Sequence, residues 1–175
     1  LQNRSEGTVR ALLGKELMTE NGLLTEQGSS TFWDRSTLYA LRGIYIAGQA
    51  DRATEFLSHY ARRRLLGDHV PYPIEAWPEG SQRHLAAESG LFCRVITEGL
   101  FGIRPTGFRS FDLTPSMPSG WNRMALRHIR AFENNFDLVI EKQPDGFLRV
   151  TLAISGRNPR AFRLRQGASL RIKLP

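Results

Sequence analysis

Cysteine is almost missing: Cys93 is the only one in 175 residues, so no internal disulfide can form and packing must hold the fold. Long apolar runs are missing too. None approaches the roughly 20 residues that a membrane-crossing helix needs, so no membrane span is expected. The chain opens on Leu1-Gln2-Asn3-Arg4, with neither an initiator Met nor a signal-peptide pattern, and is expected to be a fragment with its true N-terminus upstream. No His/Cys group has zinc-ligand spacing, so no metal is expected. Gly99-Leu100-Phe101-Gly102 lacks the Lys and the preceding strand of a phosphate-binding loop, and no cofactor is expected. Acidic residues run short in one part only. Residues 104–175 hold 13 Lys and Arg against 5 Asp and Glu, a net of +8; residues 1–103 hold 11 against 12, a net of −1. A basic surface can serve nucleic acid, an acidic glycan or an acidic neighbouring domain. No nucleic-acid motif accompanies this one, so a solvated β-surface with outward Arg is the plainer reading and no nucleic-acid partner is expected.

What is present is a hydrophobic fraction of 41%, enough for a packed core. The two charge regimes coincide with two periodicities. Up to about residue 102 the period is helical. Val9, Leu12, Leu13 and Leu17 predict a first helix stopped by Asn21-Gly22. Leu38, Leu41, Ile44 and Tyr45 predict a second over 34–47. Ala53, Phe56, Leu57 and Tyr60 predict a third over 51–66, with Asp51 as N-cap. Leu85, Phe92, Val95 and Ile96 predict a fourth over 82–99, with Cys93 as a small core residue. The linker between the second and third helices is short. Those before the second (21–33) and before the fourth (67–81) are long and carry Phe32, Trp33, Tyr72, Ile74 and Trp77. Long loops in a compact domain are commonly functional. Because they alternate with a tight turn, both should open on the same side, where a site is expected.

After Pro105 the period becomes two. Phe136, Leu138 and Ile140 alternate with polar neighbours, Pro144-Asp145-Gly146 turns, and Leu148, Val150, Leu152 and Ile154 alternate again: a hairpin. Phe162 and Leu164, a Gln166-Gly167 turn, and Leu170, Ile172 and Leu174 follow. Two earlier strands are expected at 108–114 and 121–132. About six short strands predict an antiparallel β-sandwich.

The richest segment is Pro71-Tyr72-Pro73-Ile74-Glu75-Ala76-Trp77-Pro78-Glu79-Gly80. Two carboxylates and two aromatics share a Pro-stiffened loop. An aromatic ring stacks on the C–H face of a sugar while a neighbouring acid handles a hydroxyl or a water. Glycoside hydrolysis uses two carboxyl groups, roughly 6.5–9.5 Å apart in inverting enzymes. Glu75 is the first candidate and Glu79 its substitute; a rim salt bridge for Glu75 and helix packing for Trp77 is the other reading. Trp33-Asp34-Arg35 heads the second helix, either as a second wall of the cleft or as a dipole-favoured Asp34 beside a packing Trp33. His84 either binds a hydroxyl or caps the fourth helix. Glu88 either approaches a cleft or makes a buried ion pair with an Arg.

The order of parts resembles the end of six-hairpin, (α/α)6-toroid glycosidases of the α-L-rhamnosidase type. The matching residues are Ile74-Glu75-Ala76-Trp77, then Leu85-Ala86-Ala87-Glu88-Ser89-Gly90, then Gly99-Leu100-Phe101-Gly102-Ile103-Arg104-Pro105, then Phe111-Asp112-Leu113-Thr114-Pro115. Ile74 stands where that family carries a Trp, and Ser81-Gln82-Arg83-His84 stands for its Ser-x-Asn-His. The resemblance implies an α+β chain: residues 1–104 as the last helical hairpins of a toroid, residues 105–175 as a C-terminal β-sandwich. It implies an inverting glycoside hydrolase with Glu75 as general base, Trp77 and Trp33 lining the sugar subsite, and Asp34, Arg35, Tyr72 and His84 as further carbohydrate contacts. Its general acid would lie in an upstream catalytic segment, so the fragment alone is not expected to be active. A secreted or periplasmic location goes with the family's substrates. Two alternatives remain open: a non-catalytic carbohydrate-binding or scaffold protein that keeps the toroid, and a phosphorylase or isomerase on the same frame.

Overall fold

The computed structural model describes residues 2–19, 22–24, 31–66, 72–74, 76–77, 86–131 and 133–175, with backbone alone at 2–3 and 76–77 and at Arg64. The chain is mixed α+β with antiparallel sheets and divides into two compact units, Leu1–Leu100 and Phe101–Pro175. The division falls four residues before the boundary read from sequence, because Ile103–Gly107 is a strand of the second unit.

The first unit is built round one helix. Helix α1 (Gln2–Leu12) is followed by a two-strand hairpin, β1 (Met18–Thr19) and β2 (Gly22–Leu23). The predicted first helix is therefore too long: it ends at Leu12, and Met18 pairs with Leu23 instead of extending it. Strand β3 (Phe32–Trp33) leads into α2 (Asp34–Ile46), whose predicted stripe Leu38, Leu41, Ile44 and Tyr45 is buried at 0–1% exposure. Gly48, at φ +82°, reverses the chain, and the N–H groups of Ala47, Gly48 and Gln49 close the last turn on Gly43, Tyr45 and Ile44 carbonyls. Helix α3 (Ala50–Leu65) buries Ala53, Phe56, Leu57 and Tyr60. Its cap is Gln49, whose carbonyl accepts the Ala53 N–H; Asp51 sits in the first turn, not at the cap. Strand β4 (Ala76–Trp77) precedes α4 (Ala86–Arg94), which widens into a π-helical segment, Val95–Leu100. Gly99 there lies against Tyr45: a Cβ added to it would come within 3.1 Å of the Tyr45 ring. Cys93 is exposed, a correction to its expected burial: Leu91 and Val95 turn inward and Cys93 falls on the outer face.

Among its described residues the second unit has seven strands: β5 (Ile103–Gly107), β6 (Ser110–Leu113), β7 (Arg123–Ala131), β8 (Asn134–Lys142), β9 (Phe147–Ile154), β10 (Arg160–Arg165) and β11 (Leu170–Lys173). They form a four-stranded sheet, β10-β9-β8-β7, and a three-stranded sheet, β11-β6-β5, both antiparallel. The period of two is realised: Phe136, Leu138 and Ile140 on β8 and Leu148, Val150, Leu152 and Ile154 on β9 are buried. β5 precedes the strands that the sequence pattern predicts. The Gln166-Gly167 turn carries the chain from one sheet to the other, since β10 pairs with β9 and β11 with β6. Phe111 of β6 stacks on Phe136 of β8 at 5.9 Å between ring centroids, so the two sheets share a core.

Candidate functional site

The two long loops converge on the first turns of α2. Strands β3 and β4 pair antiparallel, with Phe32 opposite Trp77 and Trp33 opposite Ala76. Trp33 is thus in register with the residue that separates Glu75 from Trp77 in the chain. Two side chains of α2 bind the loops from below. Asp34 is 2% exposed, and its Oδ2 accepts the N–H of Ile74 at 2.8 Å. Thr37 is 1% exposed, and its Oγ1 accepts the N–H of Leu23 at 3.2 Å. An isolated antiparallel bridge joins Leu24 to Phe32, which also pairs with Trp77. A helix N-terminus suits this job, because an anionic Asp34 is stabilised by the dipole while it holds a foreign N–H.

Arg35 points to the other neighbour. Its Nε donates to Oε1 of Glu88 at 2.7 Å and its Nη2 lies 2.7 Å from the same oxygen, an ion pair that ties α2 to α4. Glu88 is fully buried while Arg35 is 43% exposed at the side chain. Oε2 of Glu88 has no hydrogen-bond partner among the described residues. Of the two readings of Glu88, the buried ion pair is the one observed.

Among the predicted site residues, Trp33, Asp34, Arg35 and Tyr72 are described with their side chains. Trp33 and Tyr72 are half-buried; Pro73 and Ile74 after Tyr72 are buried. Asp34 and Arg35 hold neighbouring elements. Trp77 is described by its backbone. Glu75, Glu79 and His84 lie outside the described residues. Thr37 was not singled out from sequence; a Thr inside a helix gives no pattern that announces a hydrogen bond to a distant loop.

A depression of about 600 Å³ lies at the opposite end of α2, lined by Ser5, Glu6, Arg10, Ala47, Gln49 and Arg52 among others. It has one carboxylate and no aromatic ring, so it lacks the composition of a sugar subsite. No group of three or more His, Cys, Asp or Glu is gathered for a metal among the described residues, and no helix among them is long and apolar enough to cross a membrane. Searches against protein-family models, curated proteins and solved structures give no match to this chain.

Proposed function

We propose that this chain is the C-terminal part of an inverting glycoside hydrolase, with its helices as the last hairpins of an (α/α)6 toroid and its two sheets as a β-sandwich. The Phe111–Phe136 stack between the sheets supports the sandwich. The observation that carries the functional reading is the pairing of the two aromatic-rich loops over α2, with Asp34 fastened to the residue before Glu75. A general base must be held within hydrogen-bond reach of its water, and a backbone anchored one residue away restricts where the Glu75 carboxylate can go. In this reading Glu75 activates the water and Glu79 is its substitute. Trp77 and Trp33 stack on the sugar, and Tyr72 and His84 meet its hydroxyls. Asp34 and Arg35, proposed from sequence to touch carbohydrate, act as positioning residues. The general acid comes from an earlier loop of the toroid, on the far side of the scissile bond.

The test is hydrolysis of a panel of aryl glycosides by the protein carrying the upstream helices and by its Glu75→Gln variant. The amide keeps the shape and removes the base, so turnover should fall about a hundredfold or more with binding kept. Undiminished turnover in Glu75→Gln would remove Glu75 from the role and bring Glu79→Gln forward. Binding of sugars without hydrolysis of any glycoside would favour a non-catalytic carbohydrate-binding protein.

A further inference from the structure

The second unit has more positive charge than it can neutralise internally. Its 13 Lys and Arg face 5 Asp and Glu. All five carboxylates are already taken by arginines: Asp112 by Arg171, Glu133 by Arg109, Asp137 by Arg127, Glu141 by Arg123 and Asp145 by Arg163. Part of the surplus lies beside a paired arginine on one stretch of ladder. On the exposed face of the β9–β10 ladder, Arg149 stands directly opposite Arg163, and Arg165 directly opposite Phe147. Like charges facing each other across a ladder are destabilising; on its other side Arg149 faces Glu141 of β8, which is paired with Arg123. Arg149 and Arg165 have no carboxylate partner among the described residues.

The same patch is stiffened. The Arg163 guanidinium lies 3.5 Å above the Phe147 ring centre, and Asp145 Oδ2 accepts from its Nη2 at 2.7 Å. The Arg165 guanidinium approaches the same ring at 5.6 Å. A guanidinium fixed on an aromatic face keeps free N–H groups and loses little entropy when it binds. Its fork matches a carboxylate in a bidentate manner.

We propose that the β9–β10 face of the second unit, with Arg149, Arg163 and Arg165 grouped round Phe147, binds a polysaccharide bearing carboxylates, such as a polyuronate. The choice of a glycan rests on the carbohydrate reading of the first unit and on two features of the patch. Phe147 is covered by Arg163, so its ring is not free to stack on a nucleotide base, as single-stranded nucleic acid binding would use it. Asp145 and Glu141 interrupt the positive surface, which suits a polymer with one charge per sugar better than a continuous phosphate backbone. Basic residues also guard edge strands such as β10 against aggregation; that role alone needs no ligand.

Affinity electrophoresis of residues 1–175 through gels containing polygalacturonate, neutral dextran or polyuridylate tests this, for the native chain and for Arg149→Gln/Arg165→Gln. The double variant leaves the Asp145–Arg163–Phe147 stack in place, and circular dichroism checks its fold. The expected result is salt-sensitive retardation by polygalacturonate and none by dextran, with affinity about tenfold lower in the variant. Absence of retardation by polygalacturonate, equal retardation of the variant, or stronger retardation by polyuridylate would each overturn the proposal. None of these outcomes bears on Glu75, whose test is hydrolysis.

Discussion

A few buried polar side chains of α2 and α4 fasten the neighbouring elements. Asp34 looks from sequence like a hydroxyl-binding residue or a dipole-favoured one; the fold makes it an anchor for Ile74. The sequence could not distinguish these roles, since the partner is a backbone N–H 40 residues away. Asp34→Ala leaves that N–H without this acceptor and should lower the unfolding free energy by about 1–3 kcal/mol, measured by urea denaturation; an unchanged midpoint would mean the anchor is idle. It should also lower turnover of the upstream-complete protein without touching substrate. Arg35 and Glu88 give a second prediction. Removing Arg35 strands a fully buried carboxylate, so Arg35→Met should cost about 2 kcal/mol, below the usual range for buried pairs because Arg35 is half exposed. Adding Glu88→Gln should recover part of that loss, and purely additive effects in the double-mutant cycle would contradict the pairing. Cys93 illustrates a limit of reading residues singly. Its neighbours are apolar, yet only the helical angle decides which of them faces inward.

Elements were legible where pattern and punctuation agreed. The α2 stripe ends at a Gly able to take positive φ, and the β8–β9 hairpin has alternation on both sides of Pro144-Asp145-Gly146. Leu17 continues the apolar spacing of α1 beyond the end of the helix at Leu12. Gly14, worth about 1 kcal/mol against Ala in a helix, stops it there, and the N–H groups of Leu17 and Met18 close on the Gly14 carbonyl. β5 was hidden by Pro105 and Gly107, which read as breakers. Pro105 is tolerated because β5 is the edge of its sheet, and a register shift lies between Pro105 and Gly107. The entry to this sheet supplies a prediction. Gly102 has φ +65°, its carbonyl accepts the Thr114 N–H at 3.0 Å, and a Cβ on it would collide with the Thr114 backbone. Gly102→Ala should therefore destabilise the second unit by about 2 kcal/mol or more, seen as a lower melting temperature of its transition. No change would show that the turn relaxes freely.

At the scale of the whole molecule, the charge division read from sequence coincides with the division into two units, and the basic unit should respond to acid. Asp112 is held below the ordinary aspartate range mainly by its hydrogen bond to Arg171, Asp137 by the His128 N–H, and Asp145 by the Phe147 N–H and then Arg163. With folded values depressed, the unfolded chain takes up protons first as pH falls. Their contribution is therefore whole above the ordinary aspartate range and lost below it, so the melting temperature of the second unit should decline from about pH 5 downward, less steeply in Asp137→Asn. A slope unaffected by that substitution would exclude Asp137 from the linkage. The candidate site of the first unit stands out in the sequence as a composition, two acids and two aromatic rings in one Pro-rich loop. The convergence of that loop with β3 could be argued only from loop lengths, because a two-residue ladder leaves no periodic trace. The proposed inverting hydrolysis with Glu75 as base is tested most directly by the configuration of the first product. Proton NMR of the sugar released from a cleaved aryl glycoside, read before mutarotation, should show the anomer opposite to the substrate. Release of the same anomer would contradict the account, since it requires a carboxylate nucleophile in place of an activated water.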